Sequence, residues 1–128
     1  GELSGYGTRG IVEAYIAGPA LEKFYERESG IKCPLREIAN RVGDDAAAAA
    51  TIERLKDFFS RALATIVDTF DPHAIVIGGG VGNLDVLYSD EMRACISSLI
   101  FASSFEAALL KPQLGDSAGV FGAAMLAV

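Results

Sequence analysis

Six consecutive residues, Gly78-Gly-Gly-Val-Gly-Asn83, have the composition of a ligand cradle. Glycines let a chain turn sharply and bring its backbone close to another molecule, because no Cβ stands in the way. Backbone N–H groups in such a turn, with a helix N-terminus behind them, favour an anion. The chemistry this run suits is therefore holding a phosphate or nucleotide. It is neither a Walker loop nor a clean dinucleotide fingerprint. The plain alternative is a tight strand-to-helix turn that binds nothing. Other chemistry-bearing residue types are sparse. His73 is the sole histidine and reads as a strand-boundary residue. Cys33 and Cys95 have no C-x-x-C spacing, so they read as buried or free thiols of a reducing compartment.

The elements that must position the glycines follow from periodicity. Ala74-Ile-Val-Ile77 is short, apolar and β-branched, as a buried strand is. Leu84 to about Ile100 is expected to be helix, Glu106 to Leu110 a second strand. Asp116 or Ser117 is placed to cap a final helix running to Ala127, apolar nearly all round, where Gly119 and Gly122 allow close approach. Upstream, Gly10 to about Glu28 is helical in pattern and broken at Gly18-Pro19. Pro34 to Val42 predicts a short helix with proline in its first turn. The strongest helix runs from about Asp45 to Phe70, with Ile52, Leu55, Phe59, Leu63, Ile66 and Phe70 at helical spacing. Asp44 or Asp45 can cap it, the alanines at 46–50 suit its first turns, and Asp57 and Arg61 can pair on its wet face.

Composition sets outer limits. At 128 residues, 51% hydrophobic and 22% charged, the chain is one globular domain in size and not a disordered segment. A net charge of −6 without a basic cluster argues against a nucleic-acid face. No apolar run reaches membrane length and no leader pattern stands at Gly1, so a cytoplasmic location without membrane contact is expected. Five or six helices with two strands make a poor sheet by themselves. The pattern is that of the later part of a larger α/β fold whose first strands lie upstream.

Three stretches resemble the C-terminal half of ROK-family proteins (repressor, open reading frame, kinase), in particular the bacterial fructokinase and N-acetylhexosamine kinase branch. The first is Ser4-Gly-Tyr-Gly-Thr-Arg-Gly-Ile-Val-Glu13 with Ala17-Gly-Pro-Ala-Leu21, similar to the family's C-x-C-G-x-x-G-C-x-E element and the S-G-x-A-L that follows it. The others are Asp71-Pro-His-Ala-Ile-Val-Ile-Gly-Gly-Gly-Val81 and Leu114-Gly-Asp-Ser-Ala-Gly-Val-Phe-Gly-Ala-Ala124. The resemblance implies an α/β fold, the C-terminal part of an actin-like, ribonuclease-H-like ATPase domain, helix-rich with few strands. Residues 1–128 would form that part, with the N-terminal half absent. It implies phosphorylation of a hexose hydroxyl by ATP with Mg²⁺, and pairing into a homodimer or higher oligomer through this half.

By the same resemblance Glu13 falls on the glutamate that accepts hydrogen bonds from sugar hydroxyls, bonds that a carboxylate makes strongly. Gly79 and Gly80 fall on the glycines that lie against the nucleotide, and Asn83 is close enough to reach the same ligand. Two departures stand out. The positions of the family's zinc-binding cysteines are Ser4, Tyr6 and Ile11, which cannot complete a tetrahedral site, so no zinc is expected. The family's catalytic aspartate belongs to its N-terminal half, so no residue here is catalytic and this part alone should be inactive. A sugar-sensing and dimerising module of a ROK repressor is the alternative. The resemblance of Asn83-Leu-Asp-Val-Leu-Tyr88 to fructokinases leans toward the kinase. A dinucleotide-binding domain is disfavoured, because the glycines come late and no strand–helix–strand unit with a matched acidic residue follows them.

Overall fold

The computed structural model describes residues 17–111. Its contacts divide into two compact units, Gly1–Phe59 and Ser60–Val128.

In the first unit, helix α1 spans Gly18–Ser29 and carries Pro19 in its first turn, where the missing N–H would have had no helical partner anyway. Gly18-Pro19 therefore starts a helix among the described residues; the expected segment before it, 10–16, lies outside them. Gly30 stops α1 with φ 74°, its N–H donating to the Glu26 carbonyl at 2.8 Å. That left-handed turn costs a glycine nothing. Helix α2 is Leu35–Asn40, shorter at both ends than the predicted 34–42: Pro34 is extended at φ −69°, ψ 148°, and the backbone leaves the helix at Arg41, φ −96°, ψ 0°. The Glu22 carboxylate of α1 accepts from the Leu35 N–H at 2.9 Å and so serves one of the donors at the start of α2.

Helix α3, Ala46–Phe70, matches its expected span. Asp45 is the cap: its Oδ1 accepts from the N–H groups of Ala47 at 2.9 Å and Ala48 at 3.2 Å. The buried residues of α3 in this unit are Ala48, Thr51, Ile52, Leu55 and Phe59, the recurrence of one helical face. Thr51 satisfies its buried hydroxyl on the Ala47 carbonyl at 2.8 Å. Leu21, Tyr25, Cys33, Leu35 and Ile38 are also buried in this unit, and Tyr25, Cys33, Ile38 and Ala48 form one cluster.

In the second unit, α3 buries Leu63, Ala64 and Val67. It ends at Asp71 (φ 46°), whose N–H donates to the Val67 carbonyl at 2.9 Å, and Pro72 prevents continuation. Strands β1 (Ala74–Val76) and β2 (Ala108–Leu110) pair in parallel, Ala74 opposite Ala108, Ile75 opposite Leu109 and Val76 opposite Leu110. Flanking bonds extend the pair: the Ala108 N–H to the His73 carbonyl at 3.0 Å, and the Ile77 N–H to the Leu110 carbonyl at 3.1 Å.

Between the strands lies helix α4, Asp90–Leu99, capped by the Ser89 hydroxyl on the Met92 N–H at 3.2 Å, with Asp90 and Glu91 suited to its positive end. It buries Met92 and Ile96. The expectation of one helix over 84–100 is corrected: 3₁₀ turns occupy Val81–Asn83 and Asp85–Tyr88 before α4 begins. Leu84 and Leu87 do bury at a spacing of three, but extended backbone at Leu84 and Ser89 interrupts the helix. A parallel strand–helix–strand unit is present after all, so its supposed absence is no ground against a dinucleotide domain.

Strand β2 is shorter than the predicted 106–110 because the chain before it bonds to a side chain. Arg93 donates to the carbonyls of Phe105 at 2.9 Å and Ala107 at 3.0 Å, and its guanidinium lies 4.6 Å from the Phe105 ring centre. No helix among the described residues is long and apolar enough to cross a membrane.

Candidate functional site

The glycine run leaves β1 at Ile77 and forms a turn whose glycines do different work. Gly79 has φ 81°, a conformation that strains any side chain. Gly80 is an ordinary helical residue at φ −61°, ψ −37°, and open space surrounds the position a Cβ would take at either residue. Gly82 is buried, and a Cβ there would stand 2.3 Å from the Ile77 carbonyl oxygen. Only glycine lets the turn pack against the end of its own strand. Three backbone bonds wind the turn: Gly82 N–H to Gly79 at 3.1 Å, Asn83 to Gly80 at 3.3 Å and Leu84 to Val81 at 3.1 Å. Gly79, Gly80 and Asn83 are thus brought together, with Gly80 and Asn83 exposed.

Side chains from two further places brace this turn. The Tyr88 hydroxyl donates to the Gly82 carbonyl. Burial raises the Tyr88 hydroxyl above its ordinary pKa, and the Asp85 carboxylate adds to the effect, so the group stays a neutral donor. Lys111, the residue after β2, pairs with Asp85 and places its ammonium 5.3 Å from the Tyr88 ring centre. Sequence reasoning valued Asn83-Leu-Asp-Val-Leu-Tyr88 only as a family likeness and missed this bracing. No periodicity reveals that Tyr88 reaches back six residues or that Lys111 returns from the far strand.

Glu13, the positions Ser4, Tyr6 and Ile11, and the stretch 114–124 lie outside the described residues. His73 stands immediately before β1 as expected. It lies on the rim of a cavity of about 500 Å³ lined also by Asp71, Ser103, Ser104 and Glu106, at the end of β1 away from the glycines. Cys33 and Cys95 are free thiols, and burial pushes the Cys33 thiol above its ordinary value. Among the described residues no group of three or more His, Cys, Asp or Glu is placed to hold a metal ion.

The chain is similar to known proteins in sequence and in fold. The chain is 30% identical over 123 residues to an N-acetyl-D-glucosamine kinase of Vibrio atlanticus, covering 95% of this chain and 40% of that kinase. The enzyme of the same name from Yersinia pseudotuberculosis is 32% identical over 123 residues, with the same coverage. The chain therefore spans less than half the length of these relatives. Among solved structures, a ROK glucokinase from Streptomyces griseus in complex with glucose and AMPPNP superposes with a TM-score of 0.77 at 25% identity, covering 98% of this chain and 47% of that one. A ROK-family transcriptional regulator superposes at 0.71 and 19% identity, a likeness of fold alone. The strand, the glycine turn and the helix after it thus belong to the actin-like architecture of ROK sugar kinases. The ROK family profile matches residues 1–128 without a break, and the chain belongs to that family.

Proposed function

We propose that the chain is the C-terminal part of an ATP-dependent sugar kinase, supplying a nucleotide wall and one sugar ligand. The observation that carries the reading is the joint one: kinase relatives at 30–32% identity over nearly the whole chain, and a glycine turn with open space at Gly79 and Gly80. A ligand can lean on the backbone there without meeting a side chain. In this reading Gly79 and Gly80 form the wall and Asn83 contacts the same nucleotide. Glu13 accepts hydrogen bonds from the sugar hydroxyls. ATP with Mg²⁺ supplies the phosphoryl group when bound. Mg²⁺ commonly sits on substrate phosphates with few protein ligands. Phosphoryl transfer depends mainly on positioning and charge stabilisation. This chain contributes positioning, and the catalytic base belongs to the other half of the kinase.

Two sugars are supported by different features. The relatives carry the name N-acetyl-D-glucosamine kinase, while the stretch Asn83–Tyr88 resembles fructokinases. Phosphorylation assays of the natural protein with both sugars, and with glucose as the sugar of the Streptomyces griseus glucokinase, choose between them; activity on none of the three overturns the kinase reading. In the same protein Glu13→Gln should weaken sugar affinity by about 1.5–3 kcal/mol, the range for hydrogen bonds to charged groups. Unchanged affinity removes Glu13 from the site.

The nucleotide wall is tested at Gly80, whose φ of −61° accepts alanine and whose surroundings leave room for it. Gly80→Ala should weaken binding of a fluorescent ATP analogue about tenfold, by obstruction at a close approach. Retained affinity overturns the wall. We further propose a cytoplasmic protein that pairs through this half and carries no zinc at Ser4, Tyr6 and Ile11. Light scattering that finds a monomer, or metal analysis that finds one tightly held zinc per chain, refutes the corresponding part.

A further inference from the structure

The contacts around Gly82 form a connected set. Gly82 meets the end of β1 through its bare α-carbon, so the inner side of the turn is fixed by contact. Its carbonyl is held by Tyr88, which comes from the next 3₁₀ turn. Tyr88 is in turn flanked by Lys111, which leaves the end of β2 and pairs with Asp85. The ends of both strands are thereby tied to one turn. At Gly79 and Gly80, by contrast, open space surrounds the position a Cβ would take.

We infer that Tyr88 is a positioning residue for the nucleotide, and that the Asp85–Lys111 pair holds Tyr88 in place, so that the glycine turn presents its open backbone face before any ligand arrives. The inference rests on the nucleotide-wall reading above. It assigns Tyr88 no contact with the nucleotide: it acts through the Gly82 carbonyl. A ligand wall that is already ordered loses less conformational freedom on binding, and affinity rises accordingly. The phenol suits the task because its rigid ring carries a donor at a fixed reach, and burial keeps that donor protonated.

The test compares wild type, Tyr88→Phe and Lys111→Met in the natural protein by two measurements. Binding of a fluorescent ATP analogue should weaken about 3- to 10-fold in Tyr88→Phe, the loss expected for one neutral hydrogen bond, and less in Lys111→Met. Sugar affinity should stay unchanged in both. Amide hydrogen exchange over residues 79–84 should speed up in Tyr88→Phe, while exchange in α1 and α2 stays the same. Wild-type nucleotide affinity and wild-type exchange in Tyr88→Phe overturn the inference. So does an equal loss of nucleotide and sugar affinity, which marks a general loss of structure. The Gly80→Ala variant separates the two levels. If it loses nucleotide affinity and Tyr88→Phe does not, the wall stands and the positioning role falls. If wild type binds no nucleotide, both fall, whatever the exchange shows.

Discussion

Around Tyr25, three helices are tied by side chains; at Gly82, a turn is seated on the end of β1 by backbone contact. The Tyr25 hydroxyl, on a fully buried residue of α1, donates to Asp45 Oδ2 at 2.6 Å. Asp45 simultaneously caps α3 through its other oxygen. Arg41, just past α2, reaches the same hydroxyl at 3.5 Å and pairs with Glu37 at 3.7 Å. One carboxylate thus unites α1 and α3, and one guanidinium adds α2. In the second unit the comparable junction is the contact between Gly82 and the Ile77 carbonyl, which involves no side chain of the turn at all. The first arrangement is sensitive to charge, the second to volume. Helices present side chains to one another, and charge can be adjusted there. A turn seated on the end of a strand through a buried glycine must keep that position bare, and the smallest added atom is felt there.

The sharpest break between the regions should come from volume. Gly82→Ala forces a methyl against a backbone oxygen that cannot rotate away, and should cost about 3 kcal/mol, the upper part of the overpacking range. Urea unfolding measures it. A loss below about 0.5 kcal/mol, the level of a neutral surface change, would mean the turn can swing clear of Ile77.

Next in size is Tyr25→Phe, which removes a hydrogen bond to a carboxylate without changing volume. A loss of about 1.5 kcal/mol is expected, the low end for bonds to charged groups. The same variant sharpens the charge side of the comparison. The Tyr25 hydroxyl, foremost, and the Ala48 and Ala47 N–H groups hold the Asp45 carboxyl below its ordinary value of 3.8, against an opposing effect of burial. A carboxyl depressed in the folded state lends stability that is present above the unfolded value and lost as pH falls through the folded one. Stability of the wild type should therefore fall below pH 4 in part through Asp45. In Tyr25→Phe its carboxyl should titrate closer to 3.8, which carbon-detected NMR reads directly. An unmoved titration would show that the helix N-terminus and the nearby Arg41 set the shift without Tyr25.

Smaller again is Gly30→Ala, about 1 kcal/mol for a side chain forced to the left-handed conformation at the end of α1. The smallest effect should be Gly80→Ala. It meets nothing and needs no unusual φ, so stability should hold or rise by about 0.5 kcal/mol through a stiffer unfolded chain. If that variant unfolds, obstruction of a ligand can no longer explain a loss of binding.

How far the fold was legible from sequence follows the same division. The helices upstream of the strands came through because their cues are local: Asp45 before an alanine run, the break at Gly18-Pro19, apolar residues every three or four positions in α3. The strand beside the glycines was legible for its β-branched apolar run. The 3₁₀ turns at 81–88 were not, since Leu84 and Leu87 satisfy helical periodicity equally well in either form. The start of β2 was placed two residues early because Arg93 captures carbonyls that a strand pattern assigns to pairing. In the site, Gly79, Gly80 and Asn83 do share one turn, as adjacency required. Tyr88 and Lys111 escaped because their link to that turn is tertiary.

Arg93 has one more consequence. Carbonyls two residues apart on an extended chain point the same way, and the one between them points opposite. Its forked donors meet the carbonyls of Phe105 and Ala107 and skip Glu106. If β2 slid by a single residue against β1, Leu109 would leave its place opposite Ile75 and change faces. The guanidinium would then face a carbonyl aimed away from it and lose both partners together. A strand of three residues contains too few ladder bonds to reject such a slip. A cation planted in the connecting helix checks the alignment for it, and so fixes where along the chain the second strand is allowed to begin.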